Sequence, residues 1–230
     1  MQSTIQIPST LSEITLEQYQ QLMKLESADD SEGVAARKMV SLLCKIKMSE
    51  VAMFTATSMF DLMKRLTDLF QVEPDFVSTF KLGEYEFGFI HDLENMTFGE
   101  YVDAEKYLQS WDTMNNAMAV LFRPIKKRKG EQYEIEPYYG SNTHSEIMKY
   151  APLNAVFGAN FFLRTLSVEL LTATMDFLTE QVKTMGETTA PNETSDIDGD
   201  GLRQSLLSLK ATLDDLTTLP TYRCINALPI

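Results

Sequence analysis

Residues 57–90 read TSMFDLMKRLTDLFQVEPDFVSTFKLGEYEFGFI, and the period of their apolar residues changes partway along. Met59, Phe60, Leu62, Met63, Leu66, Leu69 and Phe70 recur at steps of three and four, which places them on one face of a helix. Thr57 or Ser58 is the expected start of that helix, and Pro74 stops its growth. Beyond it Phe80, Leu82, Tyr85, Phe87 and Phe89 alternate with Lys81, Glu86 and Gly88 around Gly83-Glu84. A period of two around such a pair predicts a β-hairpin near residues 79–90, one face of which must be covered.

On either side the helical period dominates. Thr15 with Gln18 forms a capping box, and Ile14 with Tyr19 a hydrophobic staple, ahead of an apolar face of Leu16, Tyr19, Leu22, Met23 and Leu25. A helix capped by Ser31 is expected to bury Val34, Met39, Leu42, Leu43 and Ile46, and a short one capped by Ser49 carries Val51, Met53 and Phe54. Thr97 and Glu100 form a second capping box before a helix running through Tyr101, Val102, Tyr107 and Leu108. Ser110 begins another with Trp111, Met114, Met118 and Leu121 inward, and Arg123-Pro124 ends it. A basic loop and a short strand-like Tyr133-Glu134-Ile135 follow. Pro152 then opens the longest helix, about Leu153 to Lys183. Near the start of the chain, Thr4-Ile5-Gln6-Ile7 before Pro8 reads as a small edge strand or an arm laid on a neighbour.

The expected fold is therefore mainly α. A helical bundle-like body with one small hairpin spans residues 1–184, an acidic flexible linker spans 185–200, and an amphipathic helix and tail span 201–230. In that last segment Leu202, Leu206, Leu209, Leu213 and Leu216 repeat at steps of four and three, the narrow seam of a coiled coil. It can dock on its own core or on another subunit, and these five leucines are candidate partner-binding residues.

Composition limits the function classes. A net charge of −13 opposes the broad basic surface that nucleic-acid binding requires. The opening MQSTIQIPST lacks the basic and apolar regions of an export signal, and the apolar window from Ala155 to Leu163 is well short of the roughly 20 residues of a membrane span. Cys44 and Cys224 are too few and too far apart for a disulfide framework, which fits a reducing compartment.

Candidate sites are sparse. Asp196, Asp198, Asp200 and Gly201 fill half of a calcium loop, but Leu207 stands where the bidentate acid belongs, so an acidic turn with Asp200 capping the next helix is the preferred reading. Arg123, Lys126, Lys127, Arg128 and Lys129 form one basic cluster, either a contact for an anionic partner or a solvated loop. His91 and His144 belong to no catalytic or metal motif. Met39, Met59, Met63, Met114 and Met118 coincide with core faces rather than with an adaptable groove. The expectation is a non-enzymatic protein without cofactor or metal, with an enzyme whose active site is dispersed in sequence as the remote alternative.

Four segments in order carry a resemblance. They are Ile7-Pro8 with Leu11-Ser12-Glu13-Ile14-Thr15 and Gln18-Tyr19; Met96-Thr97-Phe98-Gly99-Glu100-Tyr101 with Asp103; Leu121-Phe122-Arg123-Pro124-Ile125 followed by Tyr133; and Pro152 with Val156-Phe157-Gly158-Ala159-Asn160-Phe161-Phe162. Together, over residues 5–170, the chain resembles small helical proteins encoded among the virion-assembly genes of tailed bacteriophages, including crAss-like ones. The resemblance implies a ring or neck subunit between portal and tail, another minor virion component, or a tail assembly chaperone that binds the tape measure protein. It implies an oligomer whose partners are other phage structural proteins, located in the virion or in the host cytoplasm during assembly. It transfers no functional residue.

Overall fold

The computed structural model describes residues 5–26, 32–188 and 208. The chain divides into two compact units, residues 1–159 with 222–230 and residues 160–221. The leucine seam, the calcium-like half motif, Cys224, and the linker from residue 189 onward lie outside the described residues, Ser208 apart.

The first unit is a helical body carrying a four-stranded antiparallel sheet. Its helices are α1 (Leu16–Glu26), α2 (Glu32–Leu43), α3 (Met48–Val51), α4 (Ala56–Leu69), α5 (Phe98–Tyr107), α6 (Met114–Leu121), α7 (Ser145–Met148) and the start of α8 (Leu153–Thr188). The strands β1 (Thr79–Leu82), β2 (Tyr85–Phe89), β3 (Phe122–Lys129) and β4 (Gln132–Ile135) stand in the order β1-β2-β3-β4.

Both predicted capping boxes form. Thr15 N–H donates to Gln18 Oε1 at 3.1 Å and Gln18 N–H returns to Thr15 Oγ1 at 3.3 Å. Thr97 and Glu100 repeat the exchange at 2.7 and 3.3 Å. Other starts move: Thr55 caps α4 in place of Thr57 or Ser58, and α3 begins at Met48, so Ser49 is inside it. Residues 5–9 pair with no strand, which removes the expected edge strand.

The predicted hairpin is present, with Leu82 paired to Tyr85 across Gly83, whose φ of +59° suits glycine at a tight turn. The sheet goes further than the hairpin. The basic segment expected as a loop is strand β3, which continues from α6 without a connection because Pro124 forces the residue before it out of helical geometry. The first half of β3 pairs with β2 (Phe89↔Phe122, Phe87↔Pro124) and the second half with β4, with a bulge between Ile125 and Lys127 at the changeover. Pro124 lies just before the bulge, and its carbonyl accepts from Glu136 N–H at 2.9 Å just past the end of β4. Phe80, Phe87, Phe89 and Phe122 cover the inner face, with ring centroids 4.9 to 5.8 Å apart.

Residues far apart in sequence close the body. Leu153 N–H donates to Ile14 O at 2.9 Å and Leu16 N–H to Ala151 O at 3.0 Å, joining the first turn of α1 to the first turn of α8. Beneath that junction the Tyr19 ring meets Trp111 and Phe157 edge-on, each at 4.9 Å. The buried amide of Gln20 donates to Trp111 O at 2.7 Å, and that of Asn115 to Ser145 O at 3.2 Å. These bonds satisfy groups that would otherwise cost about 1–3 kcal/mol each to bury.

The longest helix extends to Thr188, five residues beyond its expected end, so residues 185–188 are helix rather than linker. No helix among the described residues is long and apolar enough to cross a membrane.

Two glycines are fixed by close approach. A Cβ on Gly158 would lie 2.3 Å from the backbone carbonyl oxygen of Asp75, and one on Gly88 would lie 2.3 Å from the Tyr133 ring. That ring is anchored, because its hydroxyl donates to Phe89 O at 3.0 Å. Gly158→Ala and Gly88→Ala are each expected to cost about 1–3 kcal/mol by overpacking, read as a lowered thermal midpoint. Gly99→Ala, whose Cβ would sit 3.8 Å from Tyr138, is expected to leave the midpoint unchanged or raised.

Candidate functional site

Helix α5 lies on the body in the opposite sense to its hydrophobicity. Its buried residues are Glu100, 4% exposed, and Ala104, 7% exposed. Phe98, Tyr101 and Val102, at i, i+3 and i+4, share the outer face and are 82%, 56% and 39% exposed. Tyr107 and Leu108 are half-buried. The expected apolar helix is real, but part of its apolar face points to water.

The reason is an ion pair. Glu100 Oε1 meets Arg123 Nη1 at 2.6 Å, with both side chains almost wholly buried. The second carboxylate oxygen accepts from Thr97 N–H at 2.7 Å and from Thr97 Oγ1 at 2.8 Å, so one side chain both caps α5 and binds it to β3. The Arg123 guanidinium lies 5.7 Å from the centroid of the Tyr138 ring, a cation–π distance. The Tyr138 hydroxyl donates to Asp103 on α5, adding a second polar tie to the same helix. Burial, together with that hydrogen bond and the Asp103 charge, pushes the Tyr138 phenol well above its ordinary pKa and keeps it a donor.

Such ties hold the helix in one rotation about its own axis, because turning Tyr101 inward would take the Glu100 carboxylate away from Arg123. The outer face is then a small cluster of exposed large apolar side chains on a helix fixed by its buried carboxylate. Sequence reasoning named Tyr101 and Val102 as helix-face residues but had no reason to place them outside. The one available signal was Glu100 itself, recognised as a cap before Arg123 was known as its partner.

The basic cluster does not form a free cationic surface. Arg123 is buried and occupied by Glu100, so it is not at the surface where an anionic partner could meet it. Lys126 faces Glu136 at 3.7 Å, Lys127 faces Glu134 at 3.2 Å, and Arg128 pairs with Glu86 across the sheet. Among the described residues, Lys129 is the member of the cluster with no carboxylate partner. Lys127, Arg128 and Lys129 line a shallow, open depression with Gln132, Tyr133 and Glu134.

His144 Nε2 lies 3.0 Å from Glu136, which Lys126 shares, and His91 lies against the Tyr133 ring at 3.9 Å. Cys44 is buried as a free thiol, and burial pushes its pKa up. Met39, Met114 and Met118 are buried as expected, with Met59 and Met63 half-buried. Among the described residues no group of three or more His, Cys, Asp or Glu side chains could hold a metal ion.

Removing one partner of a buried pair strands the other charge, at a cost of about 3–5 kcal/mol. Arg123→Met alone is therefore expected to lose stability of that order in urea denaturation. Glu100→Gln combined with Arg123→Met should recover most of it, since glutamine can still accept from Thr97 N–H. Additive losses in the double variant would show that the pair does not hold α5.

No family model, no curated protein and no solved structure matches the chain.

Proposed function

We propose that this protein is a non-enzymatic structural or assembly protein of a tailed bacteriophage, acting through protein–protein contacts as a ring, neck or other minor virion subunit near the portal. The observation that carries the protein-binding part is the outer face of α5. Phe98, 82% exposed, contributes almost nothing to the body, yet the helix that bears it is held by a buried ion pair. Keeping apolar side chains in water on a rigid support has an energetic rationale when a partner covers them. The assignment to a phage rests on the four resemblance segments. One of them, Met96 to Tyr101 with Asp103, contains the α5 cap and two of the three outer residues.

A tail assembly chaperone that binds the tape measure protein could use the same face. It would differ in its fate, leaving the particle before maturation.

Phe98→Ser with Tyr101→Ser is the matching test. Because both positions are exposed, the double variant should melt close to the unmodified protein. Mass spectrometry of purified virions should detect the unmodified chain in stoichiometric copies and the variant at a level reduced at least about tenfold, the equivalent of roughly 1.4 kcal/mol of lost contact. A chain absent from virions but recovered from infected lysate with the tape measure protein would assign the chaperone role. Absence from both would overturn the phage reading, and undiminished incorporation of the variant would overturn the role of the α5 face.

A further inference from the structure

In the second unit, residues 160–221, the side chains of α8 sort by face. Val168, Leu171, Met175 and Leu178 are half-buried. Leu166, Leu170 and Phe177 on another side are 41%, 67% and 63% exposed. An isolated helix would expose all of its faces alike, so something covers the first stripe. That stripe steps by three, four and three, and the sequence continues it by four and three to Val182 and Met185. This is heptad spacing, the pattern of a helix packed along a second helix.

The unit contains one other segment with that spacing. Leu202, Leu206, Leu209, Leu213 and Leu216 step by four, three, four and three. Read in reverse from Val182, the α8 stripe also steps by four, three, four and three, so two antiparallel helices meet in successive layers with equal steps. We propose that the leucine seam packs in cis along α8 as an antiparallel helical hairpin. Its layers are Val182 with Leu202, Leu178 with Leu206, Met175 with Leu209, Leu171 with Leu213, and Val168 with Leu216.

The register follows from the residues. Sliding the seam one heptad toward the start of α8 sets Arg164 against Leu213, and sliding it the other way carries Leu202 past Thr188, where the helix ends. This register opposes five leucines to five apolar residues with equal steps on both helices, and a half-heptad slide loses that match of steps. Residues 189–201, TAPNETSDIDGDG, supply the reversal, with Pro191, Gly199 and Gly201 past the end of α8. The five leucines are then occupied within the chain, and Leu166, Leu170 and Phe177 are left as the outward stripe of the hairpin. This pairing is independent of the phage reading, because it concerns a single chain.

Disulfide trapping tests it. In a Cys224→Ser background, with Cys44 buried, Met175→Cys/Leu209→Cys and Leu171→Cys/Leu213→Cys each place two thiols in one layer. Leu170→Cys/Leu213→Cys is the off-face control. Mild oxidation of the dilute full-length protein should convert both layer pairs to cross-linked monomers of raised gel mobility. The rate should be independent of protein concentration and at least about tenfold above the control. Disulfide-linked dimers, equal rates for layer and control pairs, or no cross-linked monomer from either layer pair would overturn the proposal. The two pairs report the same register, so a folding defect in one leaves the other to decide.

Discussion

The pairing of Glu100 with Arg123 fixes which face of α5 lies inside the body and which lies in water. A charge carried into the interior must meet its counter-charge, and Glu100 meets Arg123 at 2.6 Å from the first turn of α5 to the inner strand β3, with Arg123 Nε left unpartnered among the described residues. The same carboxylate completes the helix cap, so neither oxygen is left without a partner. With Glu100 inward, the helix has no rotation left in which Phe98 and Tyr101 are also inside. The exposed apolar face is thus a consequence of an electrostatic constraint rather than of a shortage of core.

Arg123 reaches that position because of what precedes and follows it in the chain. Helix α6 delivers Met114, Met118 and Leu121 into the core, and Pro124 turns the next residues extended. β3 then pairs first with the hairpin and, after a bulge, with β4. Three of the four cations beyond Arg123, namely Lys126, Lys127 and Arg128, fall near carboxylates just after β4, on β4 and on β2, so most of a run of like charge becomes a set of pairs. Exposed pairs of this kind contribute about 0–1 kcal/mol each, and their larger effect is to cancel the cationic field that the sequence suggests.

Much of the local structure was legible. Both capping boxes form where the Thr-to-Gln and Thr-to-Glu spacings placed them, because a cap is an interaction within four residues. The tight turn at Gly83 and the opening of α8 after Pro152 were equally local, and the mainly helical class follows from them. The third and fourth strands were legible only in part, since β3 lacks the alternation of a half-buried strand and is recognisable by its neighbours alone. Of the candidate binding surface, the helix and its cap could be read, but the direction of its apolar face could not.

Short-range chemistry therefore belongs to the sequence: where helices start, where glycine or proline interrupts them, which faces carry apolar residues, and the overall negative charge. Tertiary structure decided which of those faces is inside. Periodicity records that Phe98, Tyr101 and Val102 lie together, but whether they are buried depends on a counter-charge 23 positions beyond Glu100. It likewise decided that Gly158 must remain bare against the Asp75 carbonyl and that the basic segment would be neutralised across a sheet. The physical reason is common to these cases: burial and charge pairing are properties of neighbours in space, and the chain order of those neighbours leaves no local mark.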